Sequence, residues 1–195
     1  FEEIYGKGHP KTIQVILELG HARWREDKYT AAENSYVQAL YICEETGLAC
    51  EHMLYLKSVC ACIKVMFQVN PENGALAKEM MQAVVELYVR VYGGSHPSTL
   101  EALEIEMHIT LQSWEDEKAF ISAMVELTHI FQKQRQVLGD THTSTLRIAS
   151  MLAATFPLNS EECQELYEFV IDGRQQVHGE DHYDTARLAF EYAED

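Results

Sequence analysis

Basic residues are scarce in this chain. Fifteen lysines and arginines stand against 31 aspartates and glutamates, a formal net charge of −16. Phosphate binding needs a basic stripe, and no cluster of Lys or Arg stands out, so no nucleic-acid partner is expected. The charges are interspersed, which reads as a solvated acidic surface; a basic partner is the alternative. Helix breakers are also few: four prolines and ten glycines in 195 residues. Long apolar runs are missing. The longest are a few residues, far short of the ~20 that a membrane span needs, so no membrane partner is expected. No amino-terminal signal pattern is visible. The five cysteines, Cys43, Cys50, Cys60, Cys62 and Cys163, are odd in number and fit no disulfide framework. Such usage suits a reducing, cytoplasmic setting in which thiols act as small buried hydrophobes.

Catalytic signatures are absent as well. There is no H-E-x-x-H, P-loop, G-x-S-x-G or dinucleotide fingerprint, and no nucleophile beside an evident base. The chain is therefore not expected to be an enzyme, and no cofactor or metal is expected. Cys60-Ala61-Cys62 is a C-x-C inside a helical stretch, where residues i and i+2 point apart.

What the chain does carry is a repeat. G-x-x-H-x-x-T followed by an apolar residue occurs at Gly6, Gly93, Gly139 and Gly179. His9 and His96 are 87 residues apart, His96 and His142 are 46, and His142 and His182 are 40. A further member is expected near residue 50, where Gly47 precedes Cys50 by three residues but the histidine and threonine are missing. Five unit starts follow, near 6, 47, 93, 139 and 179. Equivalent histidines two packed helices apart lie roughly 20 Å from each other, too far to share zinc. They read as loop residues that cap a helix, with Pro10 and Pro97 in its first turn and the threonine hydroxyl bonding locally.

Each unit holds two helical stretches. The first unit has 9–26 and 28–47; later ones span 51–69, 73–92, 97–113, 116–138, 143–156, 160–177 and 183–195. The second helices share a pattern at i, i+4 and i+7 of a small residue, then a large one, then a small or β-branched one: Ala32-Tyr36-Ala39, Ala77-Met81-Val84, Ala123-Leu127-Ile130 and Cys163-Tyr167-Val170. Small residues let two helices approach, and the large one fills the groove between them.

Leu19-Gly20 in a first helix and Ala32, Tyr36 and Ala39 in a second resemble a tetratricopeptide repeat (TPR). The period above 40 and the G-x-x-H-P-x-T opening resemble the longer repeats of kinesin light chains, nephrocystin-3-like proteins and STAND-type (NLR-like) ATPases. The resemblance covers essentially the whole chain. It implies an all-α fold, a right-handed solenoid of antiparallel helix pairs with about 4.5 repeats in one array over 1–195. It also implies that the concave face, lined by first helices, is the binding surface.

Residues expected on that face are Gln14, Leu17, His21 and Trp24; Tyr55, Ser58 and Cys62; Glu101, Glu104 and His108; Arg147 and Ser150; and Arg187. His21 and His108 correspond between units, and Glu104 and His108 form an i, i+4 pair. Trp24 and Tyr55 have a second reading, as core packing. An acidic middle would suit an extended peptide with a basic central residue. The expected function is a non-catalytic scaffold for a protein or peptide. The alternatives are a sensor segment of a STAND-type nucleotide switch, or a docking subunit for an enzyme on another chain, with self-association open. Both ends lack a polar cap, which reads as a fragment of a larger protein.

Overall fold

The computed structural model describes residues 6, 8–114 and 116–179. Those residues form eight α-helices and no strand. They are α1 Pro10–Arg25, α2 Tyr29–Glu45, α3 Met53–Val69, α4 Gly74–Tyr92, α5 Pro97–Gln112, α6 Glu117–Leu138, α7 Thr143–Ala153 and α8 Glu161–His178. A 3-10 turn, Pro71–Asn73, leads into α4. The helix expected over 183–195 lies outside the described residues, as do His182 and Arg187. The chain divides into two compact units, Phe1–Ser113 with α1 to α5 and Trp114–Asp195 with α6 to α8.

The repeated motif is the joint between helices. Its glycine sits at positive φ, from 66° at Gly47 to 92° at Gly139, a region where a Cβ is strained. The Gly93 and Gly139 N–H groups donate to Val89 and Arg135 carbonyls and close the preceding helix. The histidine then opens the next one. His9, His96 and His142 have extended backbone, and each Nδ1 accepts the N–H two residues on, from Lys11, Ser98 and Ser144 at 3.1–3.2 Å. The Thr12 and Thr99 hydroxyls donate back to Gly6 and Gly93 carbonyls at 2.9 Å. Thr145 lacks this bond; its Oγ1 is buried with no hydrogen-bond partner.

The unit near residue 50 does have its histidine. His52 Nδ1 accepts the Leu54 N–H at 3.2 Å, with the same backbone geometry as the other three. The loop from Gly47 is two residues longer, so Cys50 is not the counterpart of His9. Residues of α4 hold that longer loop: Tyr92 Oη donates to the Glu51 carbonyl at 2.8 Å, and Arg90 meets the Glu51 carboxylate at 3.3 Å.

Packing follows the small–large pattern in the first three second helices, whereas Tyr167 of the fourth is only partly buried between buried Cys163 and Val170. Ala32, Tyr36 and Ala39 are at most 2% exposed, and Ala77, Met81, Ala123 and Leu127 at most 3%. A Cβ on Gly20 would sit 2.4 Å from Tyr36 Cε1, so the glycine lets the tyrosine ring lie against α1. In the first unit, one cluster joins α1, α2 and one side of α3 through Ala61 and Val65. A second joins α4, α5 and the other side of α3 through Leu56, Cys60, Ile63 and Phe67. In the second unit, the Arg135 guanidinium lies over the Phe131 and Phe169 rings, 5.5 and 5.2 Å from their centroids, and binds both Asp140 oxygens. It ties the end of α6 to the following loop and to α8. Helix α7 stops at Ala153, earlier than the sequence pattern suggests. Phe156 precedes Pro157, which disfavours helical backbone there, and Thr155 and Phe156 instead turn back onto Leu152 and Ala153 carbonyls.

Candidate interaction surface

The capping histidines give each first helix a common origin. Four residues past the cap stand Ile13, Leu56, Leu100 and Leu146, all at most 4% exposed. That agreement fixes the register of α3 on His52. Five residues past the cap stand Gln14, Lys57, Glu101 and Arg147, all at least partly exposed. Twelve past the cap stand His21, Lys64 and His108. Seven residues are nearly two helical turns, so these two rows share one face of each helix. The position eight past the cap is turned inward: Leu17 is 3%, Cys60 5% and Glu104 7% exposed.

This register corrects part of the expected face. Leu17 belongs to the core. Ser58 is fully buried and donates to the Leu54 carbonyl at 2.8 Å. Tyr55 packs against both clusters of the first unit, in keeping with its second reading. Cys62 packs against the α1–α2 side, away from Cys60, which lies in the other cluster. Burial pushes the Cys60 thiol up to about 12 and that of Cys62 to about 11, with Glu33 adding to the second. Tyr55, Ser58 and Cys62 stand at the same distances from Gly47 as Gln14, Leu17 and His21 do from Gly6, and the longer loop shifts the corresponding positions by two. Lys57 and Lys64 take their place, and the histidine at 52 was the signal for them. In the second unit, Arg147 is exposed and reaches Ser144 Oγ at 3.3 Å; half-buried Ser150 donates to the Leu146 carbonyl.

Lysines therefore sit on α3, where the sequence suggested Tyr55, Ser58 and Cys62; of the expected acidic middle, Glu101 stays on the outer row and Glu104 turns inward. Lys57 Nζ is 3.7 Å from Glu101 Oε2, linking α3 to α5 along the outer row. Lys64 Nζ stands over the Trp24 ring, 4.7 Å from its centroid, linking α3 to α1. Trp24 is half-buried and meets Tyr29 edge-on at 5.0 Å, so it is at once core wall and platform. Burial holds His21 below the ordinary histidine value; Glu18 opposes this, while Lys64, Arg25 and Lys57 add to it. His108 is lowered too, by burial and then by Lys64. Tyr36, behind the row, has Oη 2.9 Å from His21 Nδ1, and burial pushes its hydroxyl up to about 12. Among the described residues no group of three His, Cys, Asp or Glu is placed to hold a metal ion, and no helix is long and apolar enough to cross a membrane.

No family model and no curated protein matches the chain. Solved structures do. TPR-like repeats of a Podosopora anserina protein named for kinesin light chain match with a TM-score of 0.53 at 22% identity, covering 90% of this chain and 81% of that one. The fold is that of TPR-like helix-pair repeats. A single-substitution form of the same TPR-like protein gives 0.56, also at 22% identity, over 90% and 80% of the two chains. BtubC (BKLC) from P. vanneervenii gives 0.65 at 14% identity, over 95% and 74%. At such identities the likeness is one of fold, and it agrees with the all-α TPR-like expectation.

Proposed function

We propose that the chain is a non-catalytic protein-interaction scaffold and that the first unit meets its partner on the face of α1, α3 and α5. The observation that carries this reading is the double row five and twelve residues past the caps of α1, α3 and α5. Those positions hold varied polar and ionisable side chains, while the intervening row is core. A packing role alone favours apolar residues there, as at the position four past the cap. The partner is a peptide or helix that lies across successive first helices, and TPR-like arrays present such surfaces. The lysines alter the expected partner charge: the outer row is neutralised by Lys57 and Glu101, and the inner row centres on Lys64.

The test compares partner capture by three proteins: wild type, a row variant (Gln14→Ala, His21→Ala, Lys64→Ala, His108→Ala) and a control variant. The control carries Val37→Ala and Tyr41→Ala on the exposed side of α2. The expected result is that partners identified with wild type are lost from the row variant alone. Retention of those partners by a folded row variant would overturn the reading.

A further inference from the structure

We propose that α4 carries a second docking surface, separate from the face of the first helices, and that it takes an amphipathic helix with lysine or arginine beside its apolar stripe. Helix α4 buries Ala77, Met81, Val84, Val85 and Tyr88, most of them against α3 and α5. A neighbouring row on the same helix is apolar as well, yet it is open. Leu76 is 52% and Met80 39% exposed, Ala83 is exposed, and Leu87 is partly buried against the core. The steps between them are four, three and four residues, so the side chains form one ridge, about 16 Å long. Single apolar residues scattered over a surface are ordinary; an aligned row of them is a docking feature. A ridge with this repeat fits the groove of another helix. Ala83, small and central, lets the backbone of that helix come close.

Charge selects the occupant. Glu79 and Glu86 flank the ridge on one side, one heptad apart, and buried Ala77 and Val84 flank it on the other. Both glutamates are exposed, and neither makes an ion pair among the described residues. Lys78 lies on the far side of the helix, two residues from Met80. Arg90 turns instead to Glu51, at 3.3 Å. The edge is therefore acidic without local compensation. A helix laid along the ridge gains from basic residues seven apart, where they meet the two carboxylates. A second copy of the chain fits poorly. Antiparallel two-fold pairing would set the acidic edge against itself, and two chains of −16 repel. An anionic membrane surface meets the same repulsion. An added strand finds no edge, because α4 satisfies its backbone groups within the helix.

The experiment follows the fluorescence anisotropy of a blocked, labelled helical peptide of about five turns as the full chain is added. The peptide has leucines in the same steps as the ridge and lysines beside them, one heptad apart. A second peptide has glutamate for each lysine. The lysine peptide is expected to bind, and the glutamate peptide to bind at least about tenfold more weakly. Leu76→Gln with Met80→Gln weakens the lysine peptide at least about tenfold. Glu79→Gln with Glu86→Gln weakens it about fivefold and flattens its salt dependence. Glu44→Gln with Glu126→Gln, a charge-matched pair at exposed sites on α2 and α6, leaves binding within about twofold of wild type. So does the row variant of α1, α3 and α5. Urea midpoints confirm that each variant is folded. The proposal is overturned by absence of binding or by equally tight binding of the glutamate peptide. Equal loss in the charge-matched pair overturns it as well, since the peptide would then be following the acidic surface at large. Loss in the row variant, with the α4 variants unchanged, would place the peptide on the first helices instead. A wild-type dimer in sedimentation that Leu76→Gln with Met80→Gln dissolves would make a second copy the occupant.

Discussion

At the residue scale, the capping histidine performs one task that its chemistry makes specific. Nδ1 must accept a backbone N–H, so the proton of the neutral ring sits on Nε2. Replacing His96 by alanine leaves the Ser98 N–H without its partner and is expected to cost about 1 kcal/mol in urea unfolding. His96→Asn, which supplies an oxygen acceptor, should recover most of it. Equal loss in both variants would show that the ring acts through packing on Tyr92, 5.2 Å away, instead. Gly20 tests close approach. Alanine gains helix propensity of up to about 1 kcal/mol, but its Cβ meets a tyrosine ring that is 2% exposed and bonded to His21, so the ring has little room to yield. Overpacking of this kind costs about 1–3 kcal/mol. Gly20→Ala is therefore expected to lower the unfolding midpoint; a rise would mean that Tyr36 swings away without loss.

At the element scale, the punctuation of the helices was legible and the register of one of them was not. Histidine, proline and glycine act locally, so the starts of α1, α5 and α7 and the ends of α4 and α6 follow from the chain itself. Helix α3 has the same cap, but two added residues in its loop break the motif spacing. The apolar pattern alone could not choose its face, because α3 is buried on two sides, by Ala61 and Val65 on one and by Ile63 and Phe67 on the other. That is why Tyr55, Ser58 and Cys62 were expected where Lys57 and Lys64 stand. Arg135 was silent in the sequence for a different reason: Phe131 and Asp140 are local, but Phe169 of α8 reaches the guanidinium only in the folded unit. Its ion pair with Asp140 is about half exposed and contributes little by itself. The stacked guanidinium does more, since it covers two rings. Arg135→Ala is expected to destabilise the second unit more than Asp140→Asn does, as followed by hydrogen exchange in α8. The reverse order would place the weight on the ion pair.

At the scale of the whole molecule, two charge effects oppose each other as pH falls. The chain carries −16 at neutral pH, and acidification toward its pI of about 4.9 reduces self-repulsion and favours the folded state. His21 and His108 act in the other direction. Both are held below the ordinary histidine value when folded, chiefly by burial, so the unfolded chain binds their protons first. Their contribution to stability is complete above the unfolded value near 6.5. It is lost as pH falls from there through the lowered folded values. Between pH 7.5 and 5.5 the wild type should gain less from charge relief than its composition suggests, because these two histidines draw part of that gain away. The double variant His21→Gln, His108→Gln removes the local term and changes the net charge at neutral pH not at all. Urea midpoints across that range should therefore fall with acid more steeply, or rise less, in the wild type than in the variant. Parallel curves would mean that neither imidazole resists protonation in the folded chain.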